Sequence, residues 1–160
     1  MRILVVSAAI AALTVPPVQA AGPSLWQLFS GCSFSPVTQC AKNITHGNGN
    51  KATIAQDQWL PGFQFGFQTQ DGNGNSAYTG QKGTDQFALT VQKGDGNRSY
   101  TGQNGSYDFA VTAQLGDGNT AGTHQEGTNL AAATIQTGSN GWSTIGMSGN
   151  GGIAVVTQSN

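Results

Sequence analysis

Glutamine recurs every eleven residues along this chain, at Gln70, Gln81, Gln92, Gln103, Gln114, Gln125 and Gln136, and Met147 and Gln158 continue the count. So strict a period restricts the fold to a stack of equivalent units. Eleven is only a half-period. The pattern Gln-x-Gly-x-Gly-Asn-x-Ala/Ser-x3-Gln fills alternate halves, at 70–81, 92–103 and 114–125, while the intervening halves keep Gln and Gly but turn more apolar, so the full unit is 22 residues. Upstream, Gly47, Gly49, Asn50, Ala52 and Gln56 match the same half with Thr45 in first place, and 56–70 carries three extra residues around Pro61-Gly62. Five units result, near 45–69, 70–91, 92–113, 114–135 and 136–158, the first distorted and the last degenerate.

Each motif half holds a pair of glycines, Gly72 and Gly74, Gly94 and Gly96, or Gly116 and Gly118. Glycine adopts positive φ freely, so the pairs predict tight turns. About six residues per half remain for a strand of roughly 20 Å, and successive coils would stack about 4.8 Å apart. An eleven-residue repeat also suits a helix of about 3.67 residues per turn, but two glycines per half would each cost it about 1 kcal/mol. The expected fold is therefore all-β: a two-sheet β-solenoid of five strand-turn-strand repeats, cross-β in character and able to form amyloid.

Alternate residues of a strand share a face. Asn75, Ala77, Thr79 and Gln81 thus point one way, as do Asn97, Ser99, Thr101 and Gln103, and Asn119, Ala121, Thr123 and Gln125. Stacked in register, the amides form columns that hydrogen-bond along the stack and satisfy groups otherwise costly to bury. The expected self-assembly ladders are Gln70, Asn75, Gln81, Gln92, Asn97, Gln103, Gln114, Asn119, Gln125 and Gln136. Thr90, Thr112 and Thr134 hold the matching place in the other sheet. In the intervening halves the opposite face is the apolar one: Phe87, Leu89 and Val91, then Phe109, Val111 and Ala113, then Ala131, Ala133 and Ile135. Either that face is the interior there or it forms an outward stripe. The regularity of the Gln columns favours the stripe, with Phe87 and Phe109 as a lateral contact.

Twenty-four glycines, 8% charged residues and a net charge of -1 exclude both an ordinary apolar core and a phosphate-tracking surface, so no nucleic-acid partner is expected. Low charge with Asn and Gln ladders favours association. Residues 1–20 read as a secretory signal peptide, with Arg2, an apolar stretch from Ile3 to Val15 and cleavage after Ala20 or Ala21. That stretch is short of the roughly 20 residues of a membrane span, and no later segment comes closer. In the 21–44 segment Cys32 and Cys40 predict a local disulfide in an oxidising compartment. Metal binding would need more ligands nearby than this segment offers.

The repeat resembles that of the curlin proteins, subunits of curli amyloid fibres on bacterial surfaces, across residues 45–158. Gln70, Gly72, Gly74, Asn75, Ala77 and Gln81 match the curlin motif fully, as do Gln114, Gly116, Gly118, Asn119, Ala121 and Gln125; the copy at 92 differs by Ser99. The family's serine is replaced by Gln86, Asp108 and Leu130, Met147 stands for a glutamine, and Asn140 falls one place early. The resemblance implies secretion, an outer-membrane secretion pore reached with periplasmic chaperones, a nucleator curlin subunit and a homopolymer at the cell surface. It places 21–44 where export targeting lies. Soluble solenoids cap their ends with charge, proline or a helix, and no such cap is evident at either end of the array, so an unbranched fibre is expected. Asp95 and Asp117 share a turn position in adjacent coils, where their repulsion would slow premature aggregation.

No catalytic constellation, cofactor site or metal site is expected. His46 and His124 lie far apart in sequence with no positioned partner. The "DGNGN" at 71–75 echoes calcium loops, but one acid per turn is too few. The rival reading from another class is a monomeric solenoid that binds ice or another surface through outward threonine columns.

Overall fold

The computed structural model describes residues 37–58 and 60–160. They form nine parallel strands: β1 (Val37–His46), β2 (Lys51–Asp57), β3 (Gly62–Asp71), β4 (Ser76–Thr84), β5 (Gln86–Lys93), β6 (Arg98–Ser106), β7 (Phe109–Leu115), β8 (Thr120–Thr137) and β9 (Trp142–Ser159). Hydrogen bonding runs β1-β3-β5-β7-β8-β6-β4-β2, with β9 on β8. The two long strands each contribute to both faces. Residues 120–128 and 142–150 continue the β2-β4-β6 stack, whereas 130–137 and 152–159 continue β1-β3-β5-β7. The result is the expected all-β solenoid of about five coils, roughly 22 residues each.

Register follows the glutamine period. Gln64 pairs with Gln86, Ser76 with Arg98 and Phe87 with Phe109. In the first coil Val37 lies on Gly62 and Lys51 on Ser76, a separation of 25. The three extra residues therefore sit in the connection between β2 and β3. Strand pairing begins at Val37, eight positions before the predicted start of the repeats, so part of the 21–44 segment belongs to the solenoid. The signal peptide, Cys32 and the rest of that segment lie outside the described residues.

The interior is built from amides, threonine and alanine rather than large apolar groups. Gln64, Gln68, Gln70, Asn75, Thr79, Thr90, Asn97, Gln114, Asn119, Gln125, Thr134 and Gln136 are all fully buried, beside Ala77, Ala88, Ala110, Ala121 and Ala132. Small side chains between the amide columns let the two sheets approach closely. The strand face opposite these amides carries Phe67, which is 1% exposed, and the larger apolar residues read as a stripe. Phe87, Leu89, Val91, Phe109 and Ile135 are half-buried there, and Val111 and Ala113 are buried. Parallel stacking puts Phe87 on Phe109 with ring centroids 5.0 Å apart and Tyr78 on Tyr100 at 5.3 Å. Among the described residues no helix is long and apolar enough to cross a membrane.

Candidate functional site

Among the described residues, columns of like side chains join coil to coil, and three of them are glutamine columns. Gln70 Nε2 donates to Gln92 Oε1 at 2.8 Å, Gln92 to Gln114 at 2.8 Å, Gln114 to Gln136 at 2.9 Å and Gln136 to Gln158 at 3.1 Å. In the other sheet Gln56 donates to Gln81, Gln81 to Gln103 and Gln103 to Gln125, at 2.9, 3.0 and 3.0 Å. A third column runs from Gln39 through Gln64 to Gln86. Every bond points the same way, from a coil to its C-terminal neighbour. In the two longer columns each donating Nε2 also donates across the interior, as Gln92 does to the Ser76 carbonyl, Gln103 to the Phe87 carbonyl and Gln136 to the Thr120 carbonyl. One side chain therefore ties two coils and two sheets together. Where Thr45 lies under Gln70, the Oε1 of Gln70 is buried without a partner.

The asparagines behave differently from the simple side-chain stack expected. Asn75 Oδ1 accepts the backbone N–H of Asn97 at 2.9 Å, and its Nδ2 donates to the Gly94 carbonyl at 2.7 Å. Asn97 repeats both contacts on Asn119 and Gly116, and Asn119 repeats them on Gly141 and Gly138. Each asparagine is thus a two-pronged clamp on the backbone of the next turn. Gly141 holds the position where the next clamp would stand.

The turns need their glycines for two distinct reasons. Gly94 has φ 111°, and a Cβ there would run into the Gly116 carbonyl of the adjoining coil. Gly96 has φ 69°, with open space where a Cβ would go. Asn140 takes this second position in the last turn at φ 60°, which explains why the motif shifts there: asparagine tolerates the left-handed region. The opposite corner repeats the arrangement, with Gly83, Gly105 and Gly127 at the first position and Asp85, Tyr107 and Asn129 at the second, left-handed one, which Gly151 fills in the last coil.

Asp95 and Asp117 are not only repelling neighbours. Asp95 Oδ1 accepts the N–H of Asn73 at 2.7 Å, and Asp117 Oδ1 accepts that of Asp95 at 2.7 Å, extending a column begun by Asn73 Oδ1 on the N–H of Asn48. These side chains hold the turns in register. Cys40 is buried and disulfide-bonded. His46 ends β1 and His124 lies exposed on β8, so the fold does not bring them together. Among the described residues no group of three or more His, Cys, Asp or Glu could hold a metal ion.

No family model, curated protein or solved structure matches this chain. Its function must therefore be argued from the ladder. The six threonines at 79, 90, 101, 112, 123 and 134 are each at most 1% exposed, so they form no outer surface for ice. The hydroxyls of Thr90, Thr112, Thr123 and Thr134 have no hydrogen-bond partner. The same columns end in Ile145 and Val156, which shows that the site accepts an apolar β-branched residue. Thr112→Val should accordingly leave stability unchanged or raise it by about 1 kcal/mol in urea unfolding, because an unpaired buried hydroxyl is removed.

Proposed function

We propose that this protein is a secreted structural subunit that assembles coil on coil into curli-like amyloid fibres at a bacterial cell surface, serving adhesion and biofilm matrix. The observation that carries the reading is the one-directional, in-register amide ladder: each coil offers its neighbour the same backbone and side-chain partners that it receives. Among the described residues β9 pairs with the single strand β8 along both of its halves, and an edge strand of this kind is what a second copy would extend. The resemblance to curlins adds a nucleator subunit, periplasmic chaperones and an outer-membrane secretion pore as partners. The rival ice-binding reading loses its basis with the threonines turned inward.

Incubating the purified mature chain, alone and with preformed seed, tests the proposal. Unbranched, thioflavin-positive fibres are expected, with seed abolishing the lag; a chain that stays monomeric at high concentration under both conditions refutes it. The outward Phe87–Phe109 ladder gives a further expectation. Replacing both by Ser should leave single fibres elongating while their side-by-side bundling is lost, as counted by electron microscopy. Loss of folding altogether would instead make these rings part of the core.

A further inference from the structure

One glutamine column stops short inside the fold. Gln39, Gln64 and Gln86 lie one above another, and the next place belongs to Asp108, itself followed by Leu130. Asp108 is 1% exposed. In the coils before it, Gln64 Nε2 donates to the Gly83 carbonyl at 3.0 Å and Gln86 Nε2 to the Gly105 carbonyl at 3.3 Å. Gly83, Gly105 and Gly127 are in register, so the Gly127 carbonyl holds the equivalent place in Asp108's coil. An ionised carboxylate only accepts, and has nothing to donate there.

What Asp108 receives is weak compensation. Gln86 Nε2 reaches its Oδ2 at 3.4 Å and the Leu130 N–H its Oδ1 at 3.2 Å, both longer than the 2.7–2.9 Å usual for charge-assisted bonds. The inner faces packed around it carry Gln86 and Ala88 of β5, Thr101 and Gln103 of β6, Ala110 of β7, and Gln125, Leu130 and Ala132 of β8, none of them titratable. Of the charged side chains at the flanking strand ends, Lys82 and Glu126 are exposed, and Asp85 accepts from the Phe63 N–H and the Thr84 hydroxyl. Among the described residues no cation is a partner of Asp108.

We infer that Asp108 is an acid-responsive break in the ladder: ionised, it strains the stack, and protonated it becomes a donor that restores the column, so mild acid promotes folding. In so far as folding limits fibre growth, acid also promotes the assembly proposed above, and that second step rests on the fibre reading. Burial pushes the Asp108 carboxyl up from its ordinary 3.8, against the smaller opposing effects of the Leu130 and Gln86 hydrogen bonds. The folded state therefore holds this proton more tightly than the unfolded chain. The stabilisation is fully present below about pH 3.8 and is lost as pH rises through the raised folded value.

Urea unfolding of the full mature chain and of Asp108→Asn, from pH 3.5 to pH 8, tests this. Asparagine keeps the acceptor for the Leu130 N–H and adds a neutral donor. At pH 7 to 8 the variant should have an unfolding constant roughly tenfold below wild type, the scale of one buried hydrogen bond, and the gap should close toward pH 3.5. A gap that does not change with pH, or a wild type that is the more stable at neutral pH, overturns the inference. Asp108→Gln, copying the residue one coil below, serves if the asparagine variant does not fold; failure of both neutral residues to fold at pH 7 also counts against it. The fibre lag, measured in parallel, should shorten on acidification for wild type and not for the variant. If neither chain forms fibres at any pH, the assembly reading fails, while the stability comparison still decides the role of Asp108.

Discussion

Gly94→Ala should destabilise the solenoid by about 3–5 kcal/mol, and Gly96→Ala, two residues on, by only about 1–2 kcal/mol. Sequence gives no reason to separate these glycines. The geometry does. At Gly96 the cost is that of placing an L-residue in the left-handed region, and no atom stands in the way. At Gly94 φ is 111°, outside that region, and the new methyl meets the backbone carbonyl of Gly116, which cannot yield without moving a neighbouring coil. The same pair of effects recurs at Gly72 and Gly116, whose added Cβ atoms would meet the carbonyls of Gly94 and Gly138. For a domain whose total stability is of order 5–15 kcal/mol, the first change removes a large share. Paired urea titrations followed by circular dichroism would show the contrast; equal losses at the two glycines would mean that coil-to-coil contact at the turn is not what the first one protects. Gly96→Asn should cost less than Gly96→Ala, as Asn140 already occupies that position.

Asn97→Ala should cost about 2–5 kcal/mol, because it orphans two backbone groups at once. The Asn119 N–H loses its acceptor and the Gly116 carbonyl loses its donor. The Asn119 N–H has no room to recruit solvent easily, as Asn97 and Asn119 are fully buried, while Gly116 is half-buried. The effect should be local. Hydrogen exchange at the Asn119 amide should speed up strongly, while amides two coils away keep their protection. Asn97→Asp keeps the acceptor for Asn119 but sets a carboxylate oxygen against the Gly116 carbonyl, so its penalty should be larger at pH 7 than at pH 4. Were Asn97→Ala no worse than an ordinary surface change, of about half a kcal/mol, the clamp would not matter to the stack.

Much of this architecture was legible in the residues because one side-chain type marks both register and facing. An unbroken count from Gln70 to Gln136 sets the half-coil, and parity then sends Asn75, Thr79 and Gln81 inward together and Phe87 outward. What stayed hidden has physical causes. The first strand, "VTQCAKNITH", carries neither the glycine pair nor the glutamine phase, and it pairs across a connection three residues longer than the rest. The asparagine clamps were invisible because their partners are backbone groups, which every residue possesses. At the second position of the other corner Asp85, Tyr107 and Asn129 stand where a second glycine would have completed the pair, so only Gly83, Gly105 and Gly127 announce that turn. Asp95 and Asp117 read as repulsion because sequence shows like charges one coil apart but not the N–H that each carboxylate accepts.

The central claim is that one molecule continues the stack of the next. X-ray fibre diffraction from aligned assemblies of the mature chain tests it most directly. A sharp meridional reflection near 4.7–4.8 Å, with an equatorial spacing near 10 Å, is predicted; aligned fibres that lack the meridional reflection would contradict it.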